Sequence, residues 1–420
     1  MKIITTSDWH IGNIFHGNDR INEHKHFFNW LLNTIEEHQP DALLVAGDVF
    51  DNGNPSNAAQ AAYYNFLAKA HSIAPKMHII ITAGNHDSPS RLESPRELLT
   101  IMNMQIRGNV KREWITEEDN AHQRVTNYDD LIIPIRNTQN EEVIVLAVPY
   151  LRNDSVQGTN YSEGVNNFLR ELTDHARQLH PNKPIIMMAH MYAKGADIAT
   201  KDASEKIIIG GLEEVDMSKW ENHPDYLICG HIHKRQHIWG TDWARYTGSV
   251  LPMSFAEKDY SHGIDCVTIS NDNSIKIEKL TYTPQHRLLI LPENDEELTF
   301  TRLKKLIDKE LSARDNDNFN DTFDYVTLKI HTNKVNNDEI KELENLIQTK
   351  NTVLCKIQKI NPNIDISTIV GNTQITSVDD ILNRNPIETL KEAYFVKHKI
   401  EMNEEQTQML NDLIENINLA

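Results

Sequence analysis

The chain of 420 residues has little cysteine and little positive charge. Its three cysteines, Cys229, Cys266 and Cys355, are odd in number, widely spaced and form no Cys-x-x-Cys pair. That argues against a disulfide framework and a thiolate zinc site, and it favours a reducing compartment. No apolar run approaches the ~20 residues needed to cross a bilayer. The N-terminal stretch has no basic segment, long apolar stretch or small-residue cleavage pattern, so export is not expected and a cytoplasmic location is. No G-x-x-x-x-G-K-[ST] stretch occurs, so any use of ATP would fall to another polypeptide. Internal repeats and low-complexity tracts are also missing. Lys and Arg number 42 against 61 Asp and Glu, a net charge of −19. The deficit is spread along the chain, with 26 against 37 in residues 1–284 and 16 against 24 in 285–420, so neither part hides a basic tail. Nonspecific polyanion binding by the chain alone is thereby disfavoured, and a nucleic-acid substrate would need a partner to supply much of the backbone contact.

What is present fits a globular protein with a large core domain and one or two smaller modules, at 39% hydrophobic and 25% charged residues. Residues 1–233 alternate strand-like and helix-like segments. Apolar strand runs are expected at Lys2–Thr6, Ala42–Ala46, His78–Ala83, Val143–Val148, Ile185–Ala189 and Tyr226–Cys229. Helical patterns fall on Phe27, Phe28, Leu31 and Ile35, on Ala58–Ala70, and near 91–102 and 164–179. This alternation predicts a layered α/β domain with its site on the loops leaving the strand C-termini. Short strands at His237–Trp239, Arg245–Thr247 and Cys266–Ile269 follow. After Pro284 a strand at Leu288–Leu291, a helix over 296–311, a strand over 325–331, a helix over 338–349 and a strand over 352–360 predict a small α+β module at 285–360. Residues 361–376 form a polar linker. Residues 377–420 carry two helix signals, Ser377 with Asp380 and Asn403 with Gln406, the latter before an apolar stripe of Leu410, Leu413, Ile414 and Ile417 that needs something to pack on.

Seven side chains with O or N donors follow or end those runs: Asp8, His10, Asp48, Asn85, His190, His231 and His233. Asp-x-His and His-x-His pairs at strand ends can each aim two side chains into one cleft. Gly47 permits the turn that brings Asp48 over the sheet edge. Either pair alone is most often a solvated or hydrogen-bonded surface pair. Five separate elements with compatible donors instead make a two-metal centre, which can polarise a phosphoryl oxygen, activate a bound water and stabilise the leaving alkoxide. The thiolate-free set suits manganese, with magnesium, iron or zinc behind it. His86 and Asp87 are the catalytic candidates, His86 as a general acid outside the metal shell and Asp87 as the group that orients it or a ligand. Asp51 is either a supporting residue or a turn residue. Lys234 and Arg235 either steer phosphate toward the site or are a solvated strand end.

The stretches Ser7–Gly12, Gly47–Asp51, Gly84–Ser88 and Gly230–His233 resemble the calcineurin-like metallophosphoesterase superfamily. The wording Thr6-Ser7-Asp8-Trp9-His10, Pro55-Ser56 and Thr247–Phe255 point to its branch of bacterial DNA nucleases. The resemblance covers nearly the whole chain, loosely over the last 60 residues. It implies a layered β-sandwich flanked by helices, a small α+β capping domain facing DNA, and a helical tail that docks on a coiled-coil ATPase. It further implies one manganese held by Asp8, His10, Asp48 and His233, a second held by Asp48, Asn85, His190 and His231, and His86 as the catalytic histidine. A homodimer through helices near 55–105 and cleavage of double-strand ends and hairpins are implied as well. Asp51 departs from the histidine of archaeal and eukaryotic relatives. Two rivals stand beside this expectation: a phosphoesterase for small molecules or proteins, which the acidic charge favours, and a non-enzymatic scaffold, which would lack ligands that are all present here.

Overall fold

The computed structural model describes residues 1–116, 122–197, 214–217, 220–270, 272–294, 296–312 and 323–360. The linker and the tail helices expected at 361–420 lie outside the described residues. Two six-stranded sheets form the main body. The first runs in the order Ile275–Thr281, Gly263–Ile269, Lys2–Thr6, Ala42–Ala46, His78–Thr82 and Met104–Arg107, its last four strands parallel. The second runs Gln236–His237, Ala244–Tyr246, Tyr226–Gly230, Ile185–His190, Glu142–Ala147 and Ile132–Arg136, parallel over its central strands.

Side-chain alternation turns this pair of sheets into a sandwich. Ala42, Leu44 and Ala46 join Ile3, Ile80, Val145, Ile186, Met188 and Ile228 in one buried cluster between the sheets. Leu43 and Val45 point the other way, into a cluster with Phe27, Phe28, Leu31, Tyr63 and Phe66 from the helices Ile21–His38 and Asn57–Ile73. On the second sheet Ile144, Leu146, Met187 and Leu227 likewise pack on Val165, Phe168, Leu169 and Leu172 of the helix Tyr161–Leu179. Strands buried on both faces read as continuous apolar runs, which is why they are visible in the sequence. The helix expected near 91–102 is two short helices, Pro89–Glu93 and Arg96–Thr100, because Pro95 interrupts it. The edge strands Met104–Arg107, Ile132–Arg136 and Ile275–Thr281, and the hairpin Arg112–Thr116 with His122–Thr126, carry weaker patterns and were not expected.

The chain forms two compact units. Of the described residues, one holds those of Met1–Ile290 with 323–326 and 351–355, and the other those of 291–312, 327–350 and 356–360. In the second, the helix Asn337–Gln348 begins with a capping box: Asn336 Oδ1 accepts from the Glu339 N–H at 3.0 Å, and Glu339 accepts from the Asn336 N–H at 2.9 Å. Its Ile340, Leu343 and Ile347 are buried, as are Leu303, Ile307 and Leu311 of the helix Phe300–Ser312.

Candidate metal centre

The seven expected donors lie at the C-terminal ends of five strands from both sheets. Asp8 and Asp48 follow their strands by two residues, Asn85 follows His78–Thr82, His190 closes Ile185–His190, and His231 comes directly after Tyr226–Gly230. The local mechanism differs from strand pleating. Asp8, His10, Asp48 and His231 have φ of 50°, 45°, 48° and 100°, so four donors sit in the sparsely populated left-handed region. Strain of this kind persists where the surroundings enforce it. Here the Asp8, His10 and Ile11 N–H groups bond to the Gly47, Asp48 and Val49 carbonyls at 3.1, 3.0 and 2.9 Å, which zips the first two loops together. Trp9 is buried between them against Phe28 and Phe66, its indole N–H donating to Thr6 Oγ1 at 3.0 Å. Two glycines make room. Gly47 has φ of 81° and a Cβ there would stand 2.2 Å from His190 Nδ1; a Cβ on Gly84 would stand 2.1 Å from Asp48 Oδ1.

Asp8, His10 and His233 present ligand atoms all within 4.8 Å of one another, and so do Asp8, Asp48 and His190. Asn85 Oδ1 lies 2.9 Å from His190 Nε2 and 3.0 Å from His231 Nδ1, and Asp48 Oδ2 lies 3.3 Å from His190 Nε2. Cis ligands at about 2.1 Å from one ion stand about 3 Å apart, so these spacings fit a coordination shell. Two further observations agree. Asp8 and Asp48 are buried, and neither forms an ion pair with Lys or Arg among the described residues. His10 Nε2 is buried without a hydrogen-bond partner. Buried carboxylates without a Lys or Arg partner are costly, and divalent ions would supply compensating charge.

The buried groups are strongly coupled electrostatically. Burial opposes charge on His190, but the Asp48 carboxylate, with Asp8 and the Ala46 carbonyl, raises its pKa to about 9. Asp48 is held well below the usual carboxylate range, since its burial is outweighed by His190, His10 and His86. Burial and the neighbouring His190 charge push His231 down to about 3. His190 Nδ1 donates to the Ala46 carbonyl at 3.0 Å, which leaves Nε2 as the donor atom for a cation once its proton is gone.

Around this shell the structure assigns supporting residues. Asp51 lies 3.5 Å from His10 Nδ1 through its carboxylate, while its carbonyl accepts from His86 Nδ1 at 2.8 Å, so Asp51 orients both rings. His86 shares a cluster with His10 and Asp48, their donor atoms within 4.8 Å. Asp87, expected to orient His86 or another ligand, has a carboxylate that accepts from the Val49, Phe50 and Gly84 N–H groups at 3.1, 2.9 and 2.9 Å and so ties together the loops that carry Asp48 and Asn85. Burial and the charge of Asp48 raise its pKa to about 6. The expectation that Arg235 either steers phosphate or ends the strand in solvent is corrected, because its guanidinium is buried against Asp265. Lys234 pairs with Asp197 at the surface. The sequence reading missed Glu257, fully buried, whose Oε1 is 3.0 Å from His233 Nδ1. Its only signal was its place two residues beyond the Thr247–Phe255 stretch. Ser7, which donates to Asp8 Oδ2 and lies 2.6 Å from Thr247 Oγ1, was also overlooked.

Fold and site define a calcineurin-like phosphoesterase, and the model of that family, described as "Calcineurin-like phosphoesterase", matches residues 1–235. Among curated proteins, the SbcD subunit of nuclease SbcCD from Escherichia coli (strain K12) is 32% identical over 306 residues, 69% of this chain and 70% of that protein. The protein of the same name from Rhodobacter capsulatus is 32% identical over 281 residues, 64% and 67% of the two chains, and that of Staphylococcus epidermidis 26% over 311 residues, 72% and 75%. The chain belongs to the SbcD family of nuclease subunits within the calcineurin-like phosphoesterases. It is accordingly a hydrolytic phosphodiesterase of the SbcD nuclease type.

Proposed function

We propose that this chain is a manganese-dependent DNA nuclease, an exonuclease on double-strand ends and an endonuclease on hairpins and single strands, that works in the cytoplasm as a homodimer with an SbcC-type ATPase in DNA end processing, repair, recombination and replication. The observation that carries it is the convergence of seven O and N donors, two of them the buried carboxylates of Asp8 and Asp48, which pair with no Lys or Arg among the described residues. One cation would be held by Asp8, His10, Asp48 and His233, the other by Asp48, Asn85, His190 and His231. The donor set, without thiolate, favours Mn²⁺ over softer ions. The bound cations would supply Lewis-acid polarisation of the phosphoryl group and a water of lowered pKa.

The chain's own residues would do the rest. Asp48, buried and kept ionised, sits between His10 and His190 and can serve both ion sites. His86 Nδ1 donates to the Asp51 carbonyl, leaving Nε2 to carry a proton to the departing oxygen. Gly84, Val49 and Phe50, fastened by Asp87, hold Asn85 and Asp48 in place. No P-loop is present, which supports an ATPase on a separate chain, and the apolar stripe within 377–420 suits docking on it. Residues 285–360 would face DNA. No helix among the described residues is long and apolar enough to cross a membrane.

The test is an assay with Mn²⁺ on hairpin DNA, a phosphopeptide and a cyclic nucleotide. Cleavage of the hairpin is expected, lost in His86→Ala while both ions stay bound. Turnover of the other substrates alone would reject the nuclease reading, and co-purification with the ATPase after removal of 377–420 would reject the docking role.

A further inference from the structure

With Arg235 buried and Lys234 paired, the substrate phosphates need another contact, and one stands next to His190. Tyr150 leaves the strand Glu142–Ala147, and its N–H donates to the Ala83 carbonyl at 2.8 Å, one residue before Gly84 and Asn85. Its half-buried ring meets His190 edge-on, with centroids 6.1 Å apart and planes at 83°. The next residue but one, Arg152, is exposed, and its guanidinium carbon lies 5.8 Å from the Tyr150 ring centroid. Between them Leu151 is buried, and its carbonyl accepts from Tyr161 Oη at 2.9 Å, so the segment is anchored and the pair is held in place. Arg152 forms no ion pair among the described residues. In a chain of net charge −19, a cation near the centre and without a carboxylate partner among the described residues is available to a phosphate.

We infer that Tyr150 and Arg152 form the subsite for the nucleotide adjoining the scissile phosphodiester, the tyrosine ring stacking its base and the guanidinium taking its phosphate, an inference that rests on the nuclease reading above. A guanidinium over an aromatic ring keeps its edge donors free for phosphate oxygens, and a ring stacks any base, so this subsite recognises nucleic acid without reading its sequence.

The experiment uses the full chain with Mn²⁺ and two substrates: single-stranded hexathymidylate, and thymidine 5′-(p-nitrophenyl phosphate), which has no neighbouring phosphate. In Arg152→Ala the KM for hexathymidylate rises about tenfold with kcat little changed, and the slope of log affinity against log salt falls by about 0.7. The preference for the hexamer over the ester, as a ratio of kcat/KM, shrinks accordingly. Arg152→Lys recovers part of it, Tyr150→Ala loses about tenfold, and Tyr150→Phe keeps it. Melting curves confirm that each variant is folded. An unchanged hexamer-to-ester preference and salt slope in both alanine variants overturns the subsite alone. Wild-type protein that hydrolyses the ester and not the hexamer overturns the nuclease reading, and the subsite with it.

Discussion

Replacing Glu257 by glutamine should weaken one ion site and spare the other. The two carboxylate oxygens have different duties: Oε1 faces His233 Nδ1 at 3.0 Å, and Oε2 accepts from the Met253 N–H at 2.8 Å. Both are acceptors in a fully buried place. Glutamine keeps the shape but brings one acceptor and one donor. With its NH2 toward Met253, two donors oppose each other, at a cost of about 1–3 kcal/mol for a buried group left unmade. With its NH2 toward His233, the imidazole must turn Nδ1 into an acceptor and move its proton to Nε2, which closes the remaining nitrogen to a cation. Lost support of this kind weakens a metal site by about 10–100-fold, or about 1.4–2.7 kcal/mol. Calorimetric titration of ion-free protein with Mn²⁺ reads it directly. The step that involves Asp8, His10 and His233 should weaken by that factor, and the step that involves Asn85, His190 and His231 should change little. Two unchanged steps in a folded Glu257→Gln protein would show that the carboxylate does not support a ligand.

Two more substitutions probe the frame around the site. Gly84→Ala puts a Cβ 2.1 Å from Asp48 Oδ1 and 2.2 Å from its backbone nitrogen. Because backbone cannot yield cheaply, Mn²⁺ affinity should fall at least about tenfold, and calorimetry that finds it intact would refute the close approach. Glu23→Gln acts far from the ions, in the buried pair with Arg20 at 2.8 Å. Burial alone would raise the Glu23 pKa, yet Arg20 lowers it below the ordinary 4.5. A depressed carboxylate contributes stability that is complete above 4.5 and lost as pH falls through the lowered value. The variant should therefore lose about 3 kcal/mol at neutral pH and show a flatter decline of melting temperature in acid, and a parallel decline would refute the pairing.

Much of the site could be read without the fold because each donor ends an apolar run. A strand buried on both faces must be apolar along its length, and the first polar residues after it mark the rim where sites form. The same logic located Ile340, Leu343 and Ile347 on one helical face. Edge strands such as Ile275–Thr281, whose burial is only partial, gave no such run and went unseen. Glu257 was missed and Arg235 misjudged for a different reason. Nothing local distinguishes an acid that bonds a histidine 24 residues away from one in solvent.

The amino-acid order by itself determined the chemical identity of the donors, their succession behind alternating strands, and the absence of thiolates and of a nucleotide-binding loop. Tertiary packing decided that His190 Nδ1 is taken by the Ala46 carbonyl, that Asp8, His10, Asp48 and His231 adopt left-handed turns, and that Arg235 lies buried on Asp265 while Arg152 stays exposed beside Tyr150. The division has a physical origin. Hydrophobic periodicity is a property of neighbouring residues, whereas hydrogen-bond partners, burial of charge and the reach of a side chain depend on segments brought together only when both sheets pack.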